Sequence, residues 1–435
     1  MIKIKSTTET IESKGGLILI GKIAIKSGLK AIKSAYVKNA GAIIGIMFAL
    51  MTEGKRDFES IGGKRGSLFF KEAMDLQFVY SKETVRLYIE KMMPEADKIV
   101  EQLKKSSAKI ISKAPLHGLW IDRYHYLPVD IDTTAMDNSK TKKEGVSWTY
   151  KNFDGYHPIM AYAGREGYML DCELRPGSQH CQNGTVKFIE GVLEQLKRIK
   201  AGGRILFRMD SGNDSFDTLK TVTSEKTHYC IIKRNKRREN DEKWLNKAKR
   251  HGKRVISRKG KKVWVGFMNT HPKKKEETLE NIRLVFEVTE RKIDAKGTPL
   301  LLPEIEVNSW WTNLNCEAEK VIELYHDHAT SEQFHSELKS DMEVERLPSG
   351  KFAVNKIMLA IAMNAFNALR FIGQKSIEIK GQKGVKRKRL GTVIRDLICV
   401  AGKLVKHGGE LIFKINEKDP VLPVFLQLNI ALEFL

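Results

Sequence analysis

The sequence predicts an α/β fold in which a mixed central sheet is covered by helices. From residue 119, strand-like and helical segments follow one another in the order three strands, helix, strand, helix, strand. Such an order favours a central sheet with helices packed on it. The chain has 435 residues, 41% hydrophobic and 30% charged, which is typical of a soluble globular protein with two to four domains.

The first part, residues 1–112, is predicted to be a helical, DNA-binding region. Two dense apolar segments precede a more polar helical segment at 80–106. Ser81 is a suitable N-cap for this last helix, which would expose Lys82 and Arg86. A short helix with such cations is typical of DNA recognition, but an ordinary surface helix has the same pattern.

Residues 113–234 are predicted to form the first part of the core. Three successive strands are expected, followed by a helix that ends at Gly202 and Gly203. A fourth, buried strand at 204–212, a short helix and a fifth strand at 227–234 complete the series. This stretch carries the strand and helix order on which the fold prediction depends.

The next stretch, 235–318, differs in composition and is predicted to be an inserted, basic, β-rich subdomain. Most of its positive charge comes first, and three strand-like segments follow. The core resumes at 319–374 with two helices, the second of them strongly apolar. The last part, 375–435, is a basic C-terminal region with the run KRKR at 386–389 and a less regular pattern.

The net charge of +23 and the pI near 9.6 predict an acidic partner. Double-stranded DNA is the first candidate, because phosphates attract Lys and Arg with release of counterions. An anionic membrane surface is the second. However, the longest near-apolar run, 40–51, is too short to span a bilayer, and the N-terminal residues lack the pattern of a signal peptide.

The five cysteines are an odd, scattered set without a C-x-x-C pair. This pattern argues against a disulfide framework and is compatible with a reducing cytoplasm. Cys172, His180 and Cys181 are close enough in sequence to suggest a metal site. A fourth ligand at zinc spacing is missing, which argues against it.

Three aspartates follow predicted strands: Asp130 and Asp132 end the first core strand, and Asp210 ends the fourth. These strands can be neighbours in a sheet of this order, which would bring Asp132 beside Asp210, with Glu332 on a packed helix as a third arm. Adjacent carboxylates repel one another unless a cation holds them, and oxygen ligands suit Mg²⁺ or Mn²⁺. Such a site performs two-metal phosphoryl transfer, although aspartates also often cap turns after strands.

The segment YHDHATSEQFHSELK, residues 325–339, predicts a helix with a polar stripe. Tyr325, His328, Glu332 and Lys339 are spaced so that they fall on one helical face. Taken alone, this stripe is most simply a solvated surface.

Together, these fragments resemble the DDE transposases of bacterial insertion sequences, in the branch with a Tyr-x2-Arg-x3-Glu-x6-Lys signature. Tyr325, Glu332 and Lys339 fit that spacing, and His328 stands where the signature has arginine. The resemblance covers most of the chain. Its motifs are specific in combination and weak one by one.

Two further motifs carry the resemblance. DIDTT is similar to the motif of the first catalytic aspartate, and the two threonines that follow favour Asp132 over Asp130. RMDSGND is similar to the second motif, which makes Asp210 the second aspartate. The 122 residues between Asp210 and Glu332 leave room for the inserted β-rich subdomain that this branch carries.

The resemblance implies an RNase H-like catalytic core that cuts and joins DNA. It implies three catalytic, metal-binding carboxylates: Asp132, Asp210 and Glu332. It also implies three contacts to DNA phosphates: Tyr325, His328 and Lys339. Histidine donates only one bond to a phosphate and is fully charged only below about pH 6.5, so His328→Arg is expected to bind DNA ends more tightly.

Base stacking by an aromatic residue of the inserted subdomain is a further implication of the resemblance. Trp310 and Trp311 lie in that part of the sequence. In relatives, an aromatic side chain there stacks on an extruded base. An interior tryptophan pair is an equally good interpretation.

The resulting expectation is a Mg²⁺-dependent transposase, with Mn²⁺ able to substitute, that binds terminal inverted repeats, cleaves there and transfers the 3′ ends to target DNA. A homodimer on DNA and a location in the bacterial cytoplasm, at the nucleoid, follow by analogy. Three alternatives stay open: a catalytically impaired DNA-binding protein derived from a transposase, an RNase H-type nuclease that acts on RNA–DNA hybrids, and a peripheral membrane protein.

Overall fold

A computed structural model describes residues 2–4, 6–258, 260–294, 296–382, 384 and 387–435. The first lysine of the basic run 386–389 lies outside the described residues. Within these ranges, helices surround a ten-stranded mixed sheet.

The N-terminal part is helical, as its apolar segments predict. A short strand, β1 (Thr10–Glu12), precedes the helices. The helices of this part are α1 (Leu17–Lys26), α2 (Ala40–Thr52), α3 (Leu68–Ala73), α4 (Lys82–Lys91) and α5 (Ala96–Ile111). Almost all of α2 is buried, which accounts for its apolar sequence. Ser81 Oγ accepts a hydrogen bond from Thr84 N at 3.2 Å, so the predicted N-cap of α4 is present.

The middle of the chain forms the core of the sheet. Its strands are β2 (Leu119–Ile121), β3 (Tyr124–Thr133), β4 (Met136–Asp137), β5 (Ser147–Trp148), β6 (Asp154–Tyr156), β7 (Ile159–Ala163), β8 (Tyr168–Glu173), β9 (Arg204–Met209) and β10 (His228–Lys233). Two helices lie among them: α6 (Thr185–Arg198) and α7 (Phe216–Val222). The first predicted strand is in fact a hairpin of β2 and β3, because Asp122 turns the chain with a φ of 50°.

Five of these strands lie side by side in the order β8-β7-β3-β9-β10. β3 runs parallel to β9, with Ile131 opposite Met209, and β9 runs parallel to β10. β7 and β8 continue the sheet in antiparallel fashion. Because β3 and β9 end at the same edge, Asp132, near the end of β3, lies beside Asp210, which follows β9, as the order of elements predicted.

Residues 235–318 extend the same sheet. The elements of this stretch are α8 (Asp241–His251), β11 (Lys253–Arg258), β12 (Lys261–Met268), β13 (Lys273–Lys274), β14 (Glu277–Thr278), β15 (Arg283–Ile293) and β16 (Pro299–Thr312). β16 pairs with β10 of the core, and β15, β12 and β11 follow outward. The β-rich character of this stretch is as predicted, but its strands are continuous with the core sheet.

The C-terminal part is more regular than its sequence pattern predicts. Its elements are α9 (Ala318–His326), α10 (Thr330–Ser336), α11 (Phe352–Ile379), α12 (Leu390–Val393), β17 (Gly402–His407), β18 (Glu410–Lys414) and α13 (Leu422–Ala431). The single helix predicted for 325–339 is broken. A 3₁₀ turn, Asp327–Ala329, separates α9 from α10, and a π-helical turn, Glu337–Asp341, follows α10.

The central helix of the molecule is α11. Within the described residues it is long and apolar enough to cross a membrane by length and composition, but 83% of its apolar window is buried inside the protein. It packs against α2, α5 and β8. Asn367 hydrogen-bonds both the N and the O of Met169 at 2.8 Å, beside a β-bulge in β8. α11 therefore joins the N-terminal helices and the sheet in one hydrophobic core.

A small second sheet connects distant parts of the chain. β1 pairs antiparallel with β17, and β17 pairs with β18. Thr10 lies opposite Leu404, and Lys403 forms an ion pair with Glu9. The N-terminal strand is thereby fastened to the C-terminal hairpin.

Candidate active site

A cleft of about 1310 Å³ opens where β3 and β9 end. It is lined by all three predicted catalytic carboxylates and all three predicted phosphate contacts: Asp132, Asp210, Glu332, Tyr325, His328 and Lys339. The loop 148–152 and the segment 177–181 line it as well. The fold thus gathers the predicted site from sequence positions some 200 residues apart.

Asp132 is the last residue but one of β3, and its carboxylate lines the cleft. Its Oδ1 accepts a hydrogen bond from Thr133 N at 2.7 Å. Burial raises the pKa of Asp132 to about 7, against the opposing charge of His328. The carboxylates of Asp210 and Glu332 add to the increase. The ionised form of Asp132 is therefore disfavoured mainly by burial and further by its two carboxylate neighbours, and a bound cation would favour it.

Asp210 follows β9 and is held by the turn that begins there. Asn213 Nδ2 donates a hydrogen bond to Asp210 Oδ1 at 2.7 Å. At Gly212, a Cβ would lie 3.2 Å from the same oxygen and 2.9 Å from Cys181 Sγ. The turn is therefore built closely around the carboxylate, and a side chain at position 212 would disturb it.

Glu332 lies in the first turn of α10 and is exposed to the cleft. In the part of the chain that the structure describes, no three Asp, Glu, His or Cys side chains are close enough to hold one metal ion. The three carboxylates share a cleft but do not converge on a single point. Their chemistry nevertheless fits Mg²⁺ or Mn²⁺, because all three side chains are oxygen donors of the kind that these ions prefer.

Tyr325 and Lys339 present hydrogen-bond donors to the cleft. Burial, and then the charges of Asp210 and Asp132, raise the pKa of the Tyr325 hydroxyl, which therefore stays protonated at neutral pH. Lys339 lies in the π-helical turn after α10, and its Nζ donates to Ala135 O at 3.2 Å. Both side chains remain partly exposed.

His328 does not have the free position expected of a phosphate contact. Its side chain is only 8% exposed, and Nδ1 lies 3.0 Å from Asp130 Oδ1. Arg208 donates to both oxygens of Asp130 at 2.7 and 2.8 Å and to Leu324 O at 2.8 Å. Burial acts to lower the pKa of His328, but the charge of Asp130 acts in the opposite direction, and the pKa is raised. The ring of His328 therefore belongs to an interior cluster that joins α9 to the sheet, and its role in DNA binding stays a prediction.

His335 is a member of the site that the sequence did not single out. It lies one helical turn after Glu332, and its Nδ1 is 4.0 Å from Asp132 Oδ2. Burial lowers the pKa of His335 to about 3, and the charges of Lys339 and His328 act in the same direction. The ring is neutral at physiological pH and does not neutralise Asp132. The i, i+3 spacing from Glu332 was the available sequence signal.

Two aromatic residues, one at the end of β5 and one in the loop before β6, were also missed. Trp148 and Tyr150 are largely exposed and line the same cleft as the carboxylates. The run SWTYK, with two aromatic residues and a lysine, was the sequence signal for a contact surface here. Burial and then the three carboxylates raise the pKa of Tyr150 to about 12.

Trp310 and Trp311, the predicted base-stacking residues, are interior side chains. Both are buried in β16. Trp310 packs against Tyr325 with ring centroids 5.6 Å apart, and Trp311 Nε1 donates to Asp214 Oδ1 at 3.0 Å. Successive strand residues point to opposite faces of the sheet, and each ring is buried in a different hydrophobic cluster. This burial does not favour base stacking, which stays a prediction.

Lys82 and Arg86 lie on α4, away from the acidic cleft. Lys82 forms an ion pair with Glu59, and Arg86 Nε lies 3.5 Å from Glu90 Oε1. They line a second cleft of about 430 Å³ that also contains other cations: Arg56, Lys143 and Arg346. Their role in DNA binding stays a prediction.

The alternative metal site at Cys172, His180 and Cys181 is not assembled. Cys172 is buried under α11, where its Sγ lies 3.8 Å from Leu359 O. Cys181 Sγ instead donates to Gly212 O at 2.9 Å beside the cleft. Within the described ranges these three residues form no metal-binding group.

Two parallel strands that each end in an aspartate, with a glutamate-bearing helix across the same cleft, define a catalytic domain of the DDE class. The family model described as transposase DDE domain group 1 matches residues 90–435. The chain belongs to this family and is a DNA transposase, an enzyme that cleaves and transfers DNA.

Solved structures that are similar to this chain include a piggyBac transposase. In the cryo-EM structure of its synaptic complex with hairpin DNA, the sequence identity is 11% and the TM-score is 0.45. The similarity covers 89% of this chain and 80% of that chain. No curated protein matches the sequence.

Proposed function

We propose that this transposase binds the terminal inverted repeats of a bacterial insertion sequence, cleaves DNA at the element ends and joins the 3′ ends to target DNA. The observation that carries the proposal is the adjacency of Asp132 and Asp210 in a cleft that Glu332 also lines. The strand order β8-β7-β3-β9-β10 supports an RNase H-like core. The net charge of +23 supports a DNA substrate.

The proposed cofactor is Mg²⁺, with Mn²⁺ as a substitute, held by Asp132, Asp210 and Glu332. Divalent ions at such a site supply an activated water or 3′-hydroxyl and stabilise the leaving oxygen. The raised pKa of Asp132 supports this assignment, because the carboxylate is fully ionised at neutral pH only with added positive charge nearby.

The protein's own donors would hold the DNA backbone. The Tyr325 hydroxyl and the Lys339 ammonium both point to the cleft and suit a phosphate oxygen. Arg208, on β9, pairs with Asp130 of β3 and also donates to Leu324 O near the end of α9. It therefore connects α9 to both strands. This connection keeps Tyr325, the next residue of α9, near the catalytic strands.

Assembly and location belong to the same proposal. Two element ends must be brought together, so we infer a homodimer on DNA and a location at the bacterial nucleoid. Sedimentation of the full chain with and without a duplex of one element end tests the first part. A complex that contains one protein chain per pair of ends would contradict it.

Cleavage of a duplex that carries the inverted repeats flanking the gene tests the proposal directly. Asp132→Asn, Asp210→Asn and Glu332→Gln should each reduce Mg²⁺-dependent cleavage at least about a hundredfold, because each removes several kcal/mol of charge stabilisation. Asp217→Asn is the matched control, since Asp217 pairs with Lys274 outside the cleft. Equal activity of the cleft variants and the control would overturn the assignment.

One observation favours a second candidate, a catalytically impaired DNA-binding protein. The three carboxylates do not converge in the described structure. Salt-sensitive DNA binding by wild-type protein, without cleavage in either Mg²⁺ or Mn²⁺, would support this candidate. An RNA–DNA hybrid in the same assay tests the RNase H-type alternative, which predicts a preference for the hybrid over duplex DNA.

A further inference from the structure

Asp214 closes the turn that carries Asp210 and has no role in the proposed chemistry. It follows the 3₁₀ turn Ser211–Asn213, and its backbone N donates to Ser211 O at 3.3 Å. Within the same turn, Asn213 donates to Asp210 twice, from Nδ2 to Oδ1 at 2.7 Å and from N to O at 3.2 Å. The position of the Asp210 carboxylate therefore depends on the position of this turn.

Both carboxylate oxygens of Asp214 accept hydrogen bonds from the stretch 235–318. Asn235 N donates to Oδ2 at 2.9 Å, and Trp311 Nε1 donates to Oδ1 at 3.0 Å. Asn235 is the first residue of that stretch, and Trp311 lies near its end, in β16. The chain that leaves the core after β10 and the strand that returns to it therefore meet on one side chain.

The two donors are themselves fixed. Trp311 is only 6% exposed and lies where β16 pairs with β10. Arg234, the residue before Asn235, donates from its N to Ser309 O at 2.7 Å, and its Cζ lies 5.7 Å from the Trp311 ring centroid. Because both donors are held at the same pair of strands, they offer Asp214 two hydrogen bonds from a rigid frame.

The turn has a second set of contacts, from the segment that precedes α6. Cys181 Sγ donates to Gly212 O at 2.9 Å, and Gln182 Nε2 donates to Asp214 O at 2.9 Å. These bonds end on the backbone of the turn, whereas those from the stretch 235–318 end on the side chain of Asp214. A single substitution at position 214 therefore separates the turn from that stretch and leaves its other contacts in place.

We propose that Asp214 is a positioning residue, which fastens the turn of Asp210 to both ends of the stretch 235–318 and thereby sets the affinity of the metal site. This inference rests on the proposed function, because it assumes that Asp210 holds a divalent ion. Groups that orient a metal ligand without touching the metal typically change metal affinity by roughly 10–100-fold. In this arrangement the indole of Trp311 is a buried hydrogen-bond donor to Asp214.

Mn²⁺ binding to the full chain without DNA, measured by electron paramagnetic resonance, tests the proposal. Asp214→Ala removes both acceptors, and Trp311→Phe removes one donor while keeping a buried ring. Each should weaken Mn²⁺ binding by about tenfold or more. Asp214→Asn keeps one acceptor oxygen, so its Mn²⁺ affinity should lie between those of Asp214→Ala and the wild type.

Trp244→Phe is the matched control. Trp244 is a buried tryptophan of α8, and its Nε1 also donates to a carboxylate oxygen, Glu239 Oε2, at 2.7 Å. The two tryptophan substitutions remove the same kind of bond from the same stretch of chain, but Glu239 lies outside the turn of Asp210. Thermal unfolding of each variant shows whether the fold is intact. If folded Trp311→Phe and Asp214→Ala bind Mn²⁺ as tightly as Trp244→Phe does, the positioning role is wrong.

Hydrogen exchange in EDTA gives a second readout that needs no metal. The backbone amides of residues 210–215 should exchange faster in Asp214→Ala and Trp311→Phe than in the wild type and Trp244→Phe. Unchanged exchange would contradict the fastening of the turn. Faster exchange with unchanged Mn²⁺ binding would show that the turn is held without an effect on Asp210, and would also overturn the proposal.

Failure of the positioning role can be told apart from failure of the proposed function. Loss of Mn²⁺ binding in Asp210→Asn, together with wild-type binding in Asp214→Ala, would reject the positioning role alone. Unaltered Mn²⁺ binding in Asp210→Asn would reject the proposed metal site and the positioning role with it. Weakened Mn²⁺ binding in Asp214→Ala, in a protein that does not cleave DNA, would support the positioning role and reject the proposed cleavage.

Discussion

Two aspartates on one strand, Asp130 and Asp132, have opposite environments. Asp130 is buried and Asp132 is partly buried, and Asp130 has Arg208 and His328 as partners. These cations outweigh burial and hold the pKa of Asp130 below its usual range, whereas the pKa of Asp132 is raised. At the scale of the residue, the two carboxylates therefore differ in their direct cationic partners, since Arg208 pairs with Asp130 and not with Asp132.

Asp132→Asn should stabilise the metal-free protein at high pH. Because the pKa of Asp132 is raised to about 7, the native state binds more protons than the unfolded state between about pH 4 and pH 7, and stability falls as pH rises through that window. In EDTA above about pH 7, the variant should gain roughly 1–3 kcal/mol in unfolding free energy. The difference should vanish near pH 4.

Denaturant unfolding over this pH range measures the effect, with Asp217→Asn as an exposed control. Mg²⁺ should raise the stability of the wild type more than that of Asp132→Asn. Equal stabilities of wild type and variant at all pH values would show that Asp132 is not under this electrostatic strain.

His328→Gln should lower stability mainly at acidic pH. A histidine whose pKa is raised by Asp130 contributes stability below its ordinary pKa, and that contribution is lost as pH rises through the higher folded value. We expect a loss of roughly 1–2 kcal/mol below about pH 6 and a smaller loss at alkaline pH. Chemical denaturation at both pH values measures it.

DNA affinity should respond little to position 328. His328→Arg would bring a second guanidinium beside Arg208, so it is expected to destabilise the fold and not to tighten end binding. Tighter binding by folded His328→Arg would restore the role in phosphate binding that the sequence suggested.

At the scale of the element, the segment that carries Glu332 is fixed by a buried ion cluster. Glu337, in the π-helical turn, binds Arg370 Nη2 of α11 at 2.7 Å and also pairs with Arg387. Arg389 and Asp341 form a second ion pair nearby, with Nε–Oδ2 at 2.9 Å. Arg387 and Arg389 of the basic run therefore hold α10 and its turn in place.

Glu337→Ala should be strongly destabilising, by about 3–5 kcal/mol, because it leaves Arg370 and Arg387 without their buried partner. Glu323→Ala is the control. Glu323 is an exposed residue of α9 that pairs with Lys320, and its loss should cost less than about 1 kcal/mol. Urea unfolding compares the two variants. Similar losses in both would contradict a structural role for the Glu337 cluster.

Local patterns predicted the main strands and helices of the core, but not their tertiary partners. They also did not predict the short strands β4, β5 and β6 or the C-terminal elements β17, β18 and α13. The adjacency of β3 and β9 could be predicted, because strand order limits which strands are neighbours. The break after α9 could not, since the segment 325–339 contains neither glycine nor proline. The burial of Trp310 could not be predicted from the sequence either, because it depends on the pairing of β16 with β10.

The partner of His328 illustrates the same limit at the site. Its spacing from Tyr325 and Glu332 was readable, but Asp130 lies about 200 residues earlier in the chain. Side-chain spacing on a helix identifies which residues share a face. It does not identify the element that packs against that face.

At the scale of the whole molecule, the charge excess should dominate DNA affinity. With 76 Lys and Arg against 53 Asp and Glu, many cations have no acidic partner. Raising the salt concentration from about 50 to 200 mM should weaken binding to a generic duplex by about a thousandfold or more, as expected for six or more phosphate contacts.

Fluorescence anisotropy over a salt series measures this slope, and anionic vesicles serve as the comparison. Strong vesicle binding together with a flat salt response on DNA would instead support the peripheral membrane alternative. The burial of α11 gives no reason to expect such binding.

The pairing of β1 with β17 sets an order of events during synthesis. About 390 residues separate the two strands, so at 5–20 residues per second the ribosome needs roughly 20–80 s to supply the partner of β1. Glu332 emerges before β17 does. The nascent chain can therefore form its catalytic cleft while β1 is still unpaired. A chain released before β17 is made would leave the edge of β1 free to pair with other chains.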